Sequence, residues 1–189
     1  TLDGTLFPYT TLFRSKISKD FSNVGIFSIA EKIANIMLLG SISIFTVLLP
    51  KNAYAKKRKE KFDFREVFII SALIIVLAFF GTIIARIFVA RFFGDKFAGS
   101  LPLLGLLIFA SAFTSIHTFM EHYFFIEEVT KYIMYINVGK LALFLILSYI
   151  LVPILSLEGL SLASLISAVA AVAATIIFVR TNQTKTLPD

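Results

Sequence analysis

Along the chain, polar positions cluster in short stretches and apolar positions gather into five long runs, at about 24–49, 67–85, 97–125, 132–152 and 159–179. Each run is about long enough to cross a bilayer, whose hydrocarbon core of about 30 Å takes roughly 20 apolar residues in a helix. Inside lipid every backbone N–H and C=O has to be satisfied within its own segment, so runs of this kind fold as helices. The pattern therefore predicts an all-α, polytopic membrane helix bundle with five transmembrane helices. Pro50 and Pro153 are placed to end the first and fourth helices, and Arg180 closes the fifth. Arg86 and Arg91 are placed to snorkel from the end of the second, before an aromatic turn at Phe92, Phe93 and Gly94. Pro102 falls in the first turns of the third, where proline is tolerated. Short connections make successive runs antiparallel neighbours.

Polar residues inside the runs are not scattered. A helix surrounded by lipid is apolar on all sides, so aligned polar positions mark a bundle interior or an aqueous cavity. In the first run Ser28, Lys32, Asn35, Ser43 and Thr46 recur at helical spacing, with Leu39 in the row and Glu31 beside it. In the third, Ser111, Thr114, Ser115, Thr118, Glu121 and His122 share one side. The fourth carries Asn137, Lys140 and Ser148 on one face, and the second has almost nothing polar, which makes it the most lipid-exposed. The expected cavity-lining residues are Lys32, Asn35, Ser43, Thr114, Thr118, His122, Asn137 and Lys140. Alternatives stand beside several of these. A membrane-helix Ser or Thr often bonds only the carbonyl four residues back. Glu31 and Lys32 sit at the outer interface if the first helix begins at Ile33. Lys140 lies about 12 Å from the inner end of its helix and either snorkels or faces a cavity. Facing lipid there would cost it about 2.5–3.5 kcal/mol. In the fifth run Gly159, Ala163, Ser167 and Ala171 follow at intervals of four, a ridge of small residues that reads as packing.

Composition agrees: 58% of residues are hydrophobic and only 16% charged, where a soluble domain carries about a quarter. The pI near 9.6 does not point to nucleic acid, because the basic charge is local. Lys51–Arg65 holds seven basic and two acidic residues, five of the six net positive charges. Such a loop reads as the cytoplasmic one and as a contact for membrane lipids. Parity then puts the C-terminal tail inside as well, with ten basic residues inside and five outside. The expected location is the cytoplasmic membrane.

Motifs for chemistry are absent. The chain has no cysteine, which removes disulfides and thiolate metal sites. The run from His117 to His122, HTFMEH, is one residue too long for an H-x-x-E-H zinc helix. Asn137-Val138-Gly139-Lys140 lacks the upstream glycine and following hydroxyl of a phosphate loop. No metal, cofactor or enzyme activity is expected.

Two resemblances complete the reading. TLFPYTTLFRS, Thr5–Ser15, resembles the in-frame translation of a short-read sequencing adapter, so residues 1–15 are expected not to belong to the folded protein. The transmembrane domain is then 16–189, a fragment of a longer chain. VGIFSIAEKIANIMLLGSISIFTVLLPK (Val24–Lys51), FFGDKFAGSLPLLGLL (Phe92–Leu107) and ILVPILSLEGLSLASLIS (Ile150–Ser167) together resemble a polysaccharide biosynthesis transporter of the multidrug/oligosaccharidyl-lipid/polysaccharide flippase superfamily. The resemblance implies most of the C-terminal lobe of such a transporter, its eighth to twelfth helices, whose N-terminal lobe is a missing partner. It implies alternating access and a lipid-linked oligosaccharide as cargo, with Lys32, Lys140 and the hydroxyl stripes meeting a pyrophosphate-sugar headgroup. Lys140 departs from the apolar residue or Asn expected there. A cation-coupled drug antiporter, for which Glu31 or Glu121 would be the coupling carboxylate, and a lipid-linked peptidoglycan precursor flippase are the alternatives within the superfamily. A non-transporting membrane scaffold is the alternative outside it.

Overall fold

The computed structural model describes residues 25–39 (apart from 26 and 37), 64–92, 100–126 and 131–185. All are helical and form α1 (25–39), α2 (Phe64–Phe92), α3 (Ser100–Ile126) and α4 (Lys131–Lys185). Three stretches, Val67–Phe92, Ser100–Glu121 and Lys131–Val179, are long and apolar enough to cross a membrane. The rest of the first predicted span, residues 1–15, the basic loop up to residue 63 and the turn after Phe92 lie outside the described residues.

Helix ends differ from expectation for local reasons. α2 passes the expected stop at Ala85 and takes in Arg86 and Arg91, both exposed on its last turns. A charged head on a long stem needs no helix end to reach water. Pro102 is the third residue of α3, where its missing N–H has no intrahelical partner to lose. Pro153 does not end its helix. Its φ is fixed near the helical value, so it removes one hydrogen bond while the chain stays helical. The break comes at Ser156, with φ 52° and ψ −125°, close to the first central position of a type II′ turn.

At 1.5 Å per residue the 55 residues of α4 would reach about 82 Å as one rod. Side-chain contacts show that they do not. Asn137 and Thr175 both bond the ring of His117, each at 3.2 Å, although a straight helix would hold them about 57 Å apart. Tyr132 stacks on Phe178 with ring centroids 4.0 Å apart. Both pairs are centred on Ser156 or its neighbour, so α4 is an antiparallel hairpin: a first arm, residues 131–155, and a second, 157–185. Gly159 allows the corner to close, since a Cβ there would overlap the carbonyl of Leu151.

α3 occupies the middle, and a larger share of its residues is buried than in α2 or α4. α2 meets it along one narrow row, Ile74, Ala78, Thr82, Ala85 and Val89, and leaves Phe68, Phe79, Phe80, Ile84 and Ile87 exposed. Small residues inward and bulky ones outward is how membrane helices pack, because lipid is as apolar as leucine. The second arm repeats the rule: Gly159, Ala163, Ser167, Ala171, Thr175 and Val179, every fourth residue, are all buried. α1 enters the core through Ala30 and Ala34.

Candidate functional site

Two polar features lie within this apolar bundle. The first is a cavity of about 360 Å³ between α1, α3 and both arms of α4. Phe27, Leu38, Leu107, Phe144 and Leu160 give it apolar walls, and Glu31, Asn35, Ser111, Thr114 and Ser164 supply oxygen-bearing groups from three directions. Glu31 and Asn35 are one helical turn apart on α1, as are Ser111 and Thr114 on α3, so each helix offers its pair to the same space. Lys140 reaches the wall from behind, its Nζ donating to Thr114 Oγ1 at 3.3 Å.

The second is a hydrogen-bond network that ties α3 to both arms. Asn137 donates through Nδ2 to Glu121 Oε1 at 2.5 Å. Its Oδ1 faces His117 Nε2 at 3.2 Å, and the same nitrogen lies 3.4 Å from Glu121 Oε1. On the far side of the ring, Nδ1 is 3.2 Å from Thr175 Oγ1. The Thr175 hydroxyl is in turn 2.8 Å from the Ala171 carbonyl. His117 is only 2% exposed and Thr175 not at all. A buried polar group without a partner is costly, and here every heavy atom of the ring that can bond has one. The two features are neighbours along α3: Thr114, on the cavity wall, lies three residues before His117, and Glu121 one turn after it.

The residues expected from the sequence divide accordingly. Glu31, Asn35 and Thr114 line the cavity, Lys140 bonds its wall, and Glu121 and Asn137 belong to the network. Thr118 is half-buried on α3. Lys32 is exposed and does not line the cavity, and Leu39 in the same stripe is 65% exposed. The face that α1 packs inward is the one marked by its alanines. Ser43 and the side chain of His122 lie outside the described residues. Ser115 bonds the carbonyl of Ser111, four residues back, the structural role open to any membrane-helix serine. Ser148 is buried with no hydrogen-bond partner among the described residues.

His117 and Thr175 were not among the expected residues, and both were within reach of the sequence. His117 stands four residues before Glu121 on the same helix, yet as a residue of HTFMEH it invites only a metal reading. Thr175 is the next step of the every-fourth-residue row that begins at Gly159. Among the described residues no group of three His, Asp or Glu side chains is placed to hold a metal ion. The chemistry on offer is hydrogen bonding of a polar guest beside a fixed cation, and holding of a proton in the network. Comparison with family models, curated proteins and solved structures finds no match to this chain.

Proposed function

We propose that the chain is part of a membrane transporter and supplies one wall of the path for a lipid-linked oligosaccharide, as the C-terminal lobe of a flippase. The observation that carries this reading is the cavity: a space lined by three hydroxyls from two helices long and apolar enough for lipid and by a carboxylate and an amide from α1. Polar linings at membrane depth are expensive and mark paths for polar cargo. Lys140, bonded to the wall at Thr114, is the cation available to a pyrophosphate headgroup. The two arms of α4 are read as the fourth and fifth of five crossings, which leaves the C-terminus on the cytoplasmic side. Lys32, exposed on α1, faces outward, where a second lobe would complete the cavity. The resemblance in three sequence segments supplies the cargo class.

The test is made in the complete gene. Its deletion should abolish surface polysaccharide and leave lipid-linked oligosaccharide accumulated on the cytoplasmic leaflet, and reintroduction should restore both. A Lys140→Met variant should insert normally but restore export poorly. Full export without the gene, in cells lacking a redundant relative, rejects the flippase reading. The carboxylate network favours one second reading, a cation-coupled antiporter: Glu121 is placed with His117 and Asn137 as a coupling site would be. Ion-driven uptake of small cationic compounds, lost in Glu121→Gln, would decide for it.

A further inference from the structure

From the hydrogen-bond geometry we propose that His117 is a proton-binding site whose occupancy sets how the second arm of the α4 hairpin is tied to α3.

The hydrogens can be counted around the ring. Asn137 has its amide nitrogen committed to Glu121 Oε1, so the atom it presents to His117 is Oδ1, which only accepts. Nε2 therefore carries a hydrogen. On the other side, Thr175 has one hydroxyl hydrogen and two neighbours that can take it. One is the Ala171 carbonyl at 2.8 Å, the other is Nδ1 at 3.2 Å. With the hydrogen on the closer carbonyl, Thr175 Oγ1 accepts from Nδ1, both ring nitrogens donate, and the ring is an imidazolium. Removing the Nδ1 proton turns that nitrogen into an acceptor. The Thr175 hydroxyl then rotates onto it and leaves the carbonyl.

Loss from Nε2 has no comparable remedy. Asn137 would have to flip its amide and turn Oδ1 toward the Glu121 carboxylate, setting two acceptors against each other. A hydroxyl rotor turns freely and an amide facing a carboxylate does not, so the exchanging proton is the one on Nδ1. The charged form has its counter-ion in place, with Glu121 Oε1 3.4 Å from Nε2. The groups facing the ring are Glu121 from α3, Asn137 and the more distant Lys140 from the first arm, and the neutral Thr175 from the second. Lys140 opposes the imidazolium, but its ammonium is directed to Thr114. The site does not depend on what the cavity carries, since no cavity group takes part in the exchange.

The chain contains two histidines, so nitrogen NMR of ring-labelled protein in bilayers reads the site directly. The full chain is compared with a His122→Gln variant, which leaves His117 as the sole imidazole. Between about pH 4 and pH 9, bracketing the ordinary imidazole range near 6.5, the expected result is a doubly protonated ring that loses the Nδ1 proton and keeps that on Nε2. In Glu121→Gln the ratio of doubly to singly protonated ring at a given pH should fall at least tenfold, the effect of losing an adjacent opposite charge. In Thr175→Val the Nδ1–H of the imidazolium has no acceptor, so the doubly protonated fraction at a given pH should fall, while loss from Nδ1 stays preferred because Asn137 and Glu121 still hold the proton on Nε2. A ring that holds one protonation state throughout overturns the proposal, as does loss from Nε2 first or an unchanged ratio in Glu121→Gln.

Discussion

The network joins a buried imidazole to a partly buried carboxylate through one amide. Asn137 bonds both at once, so its replacement by leucine removes two hydrogen bonds and leaves the imidazole only the longer contact to Glu121 at 3.4 Å on that side. Each orphaned polar group costs about 1–3 kcal/mol. Asn137→Leu should therefore lower the thermal unfolding temperature in detergent clearly more than Ser115→Ala, which removes only a bond to the helix's own carbonyl. Equal effects from the two variants would mean that the network adds nothing to stability. Much of this site was legible beforehand, because Glu121, Asn137, Lys140 and Thr114 stand out as polar atoms in apolar runs. The pairing of His117 with Thr175 was not, because helical periodicity treats each helix alone and the register between helices decides which of their residues meet. On α1 the alanines, which carry no polar signal, mark the face packed into the core, while Asn35 of the polar stripe lines the cavity and Lys32 is exposed.

At the level of the element, α4 is decided by two adjacent backbone facts. Ser156 adopts a positive φ that favours glycine, and Gly159 fits where no side chain can. Ser156→Gly should raise stability by about 1 kcal/mol by relieving the backbone, whereas Gly159→Ala should lower it by about 1–3 kcal/mol through overlap with Leu151. Unfolding of the two variants side by side reads both signs, and a destabilising Ser156→Gly would count against the turn assignment. The absence of cysteine makes the hairpin register testable in one step. A short bifunctional thiol reagent should bridge Tyr132→Cys and Phe178→Cys, whose parent rings stack, but not Tyr132→Cys and Ser164→Cys. Sequence showed the two apolar runs and the proline between them. It did not show that the chain would stay helical through Pro153 and turn three residues later, since that choice rests on the dihedral angles of a single serine.

For the whole molecule, lipid inverts the rules of a soluble core. Most bulky side chains of α2 face outward, while Ala78, Thr82 and Ala85 are buried in its contact with α3. Ile84 is 66% exposed and Ala78 fully buried. Trimming Ile84 to alanine should therefore change stability by less than about 0.5 kcal/mol. Enlarging Ala78 to leucine should cost about 1–3 kcal/mol by forcing the helices apart. Equal effects from the two variants would count against the packing of Ala78 against α3.

The hairpin also fixes an order of assembly during synthesis. The first arm leaves the ribosome carrying Asn137 and Lys140, and both of their partners, Glu121 and Thr114, are already present on α3. Those two helices can join as soon as the first arm enters the bilayer. His117 has to wait. Its second partner, Thr175, is made 38 residues after Asn137, and until it arrives one face of a buried imidazole stays unmet. The second arm, made after the other parts of the network, is thus the one that completes it, and a chain interrupted before Thr175 would carry an open hydrogen-bonding site at membrane depth.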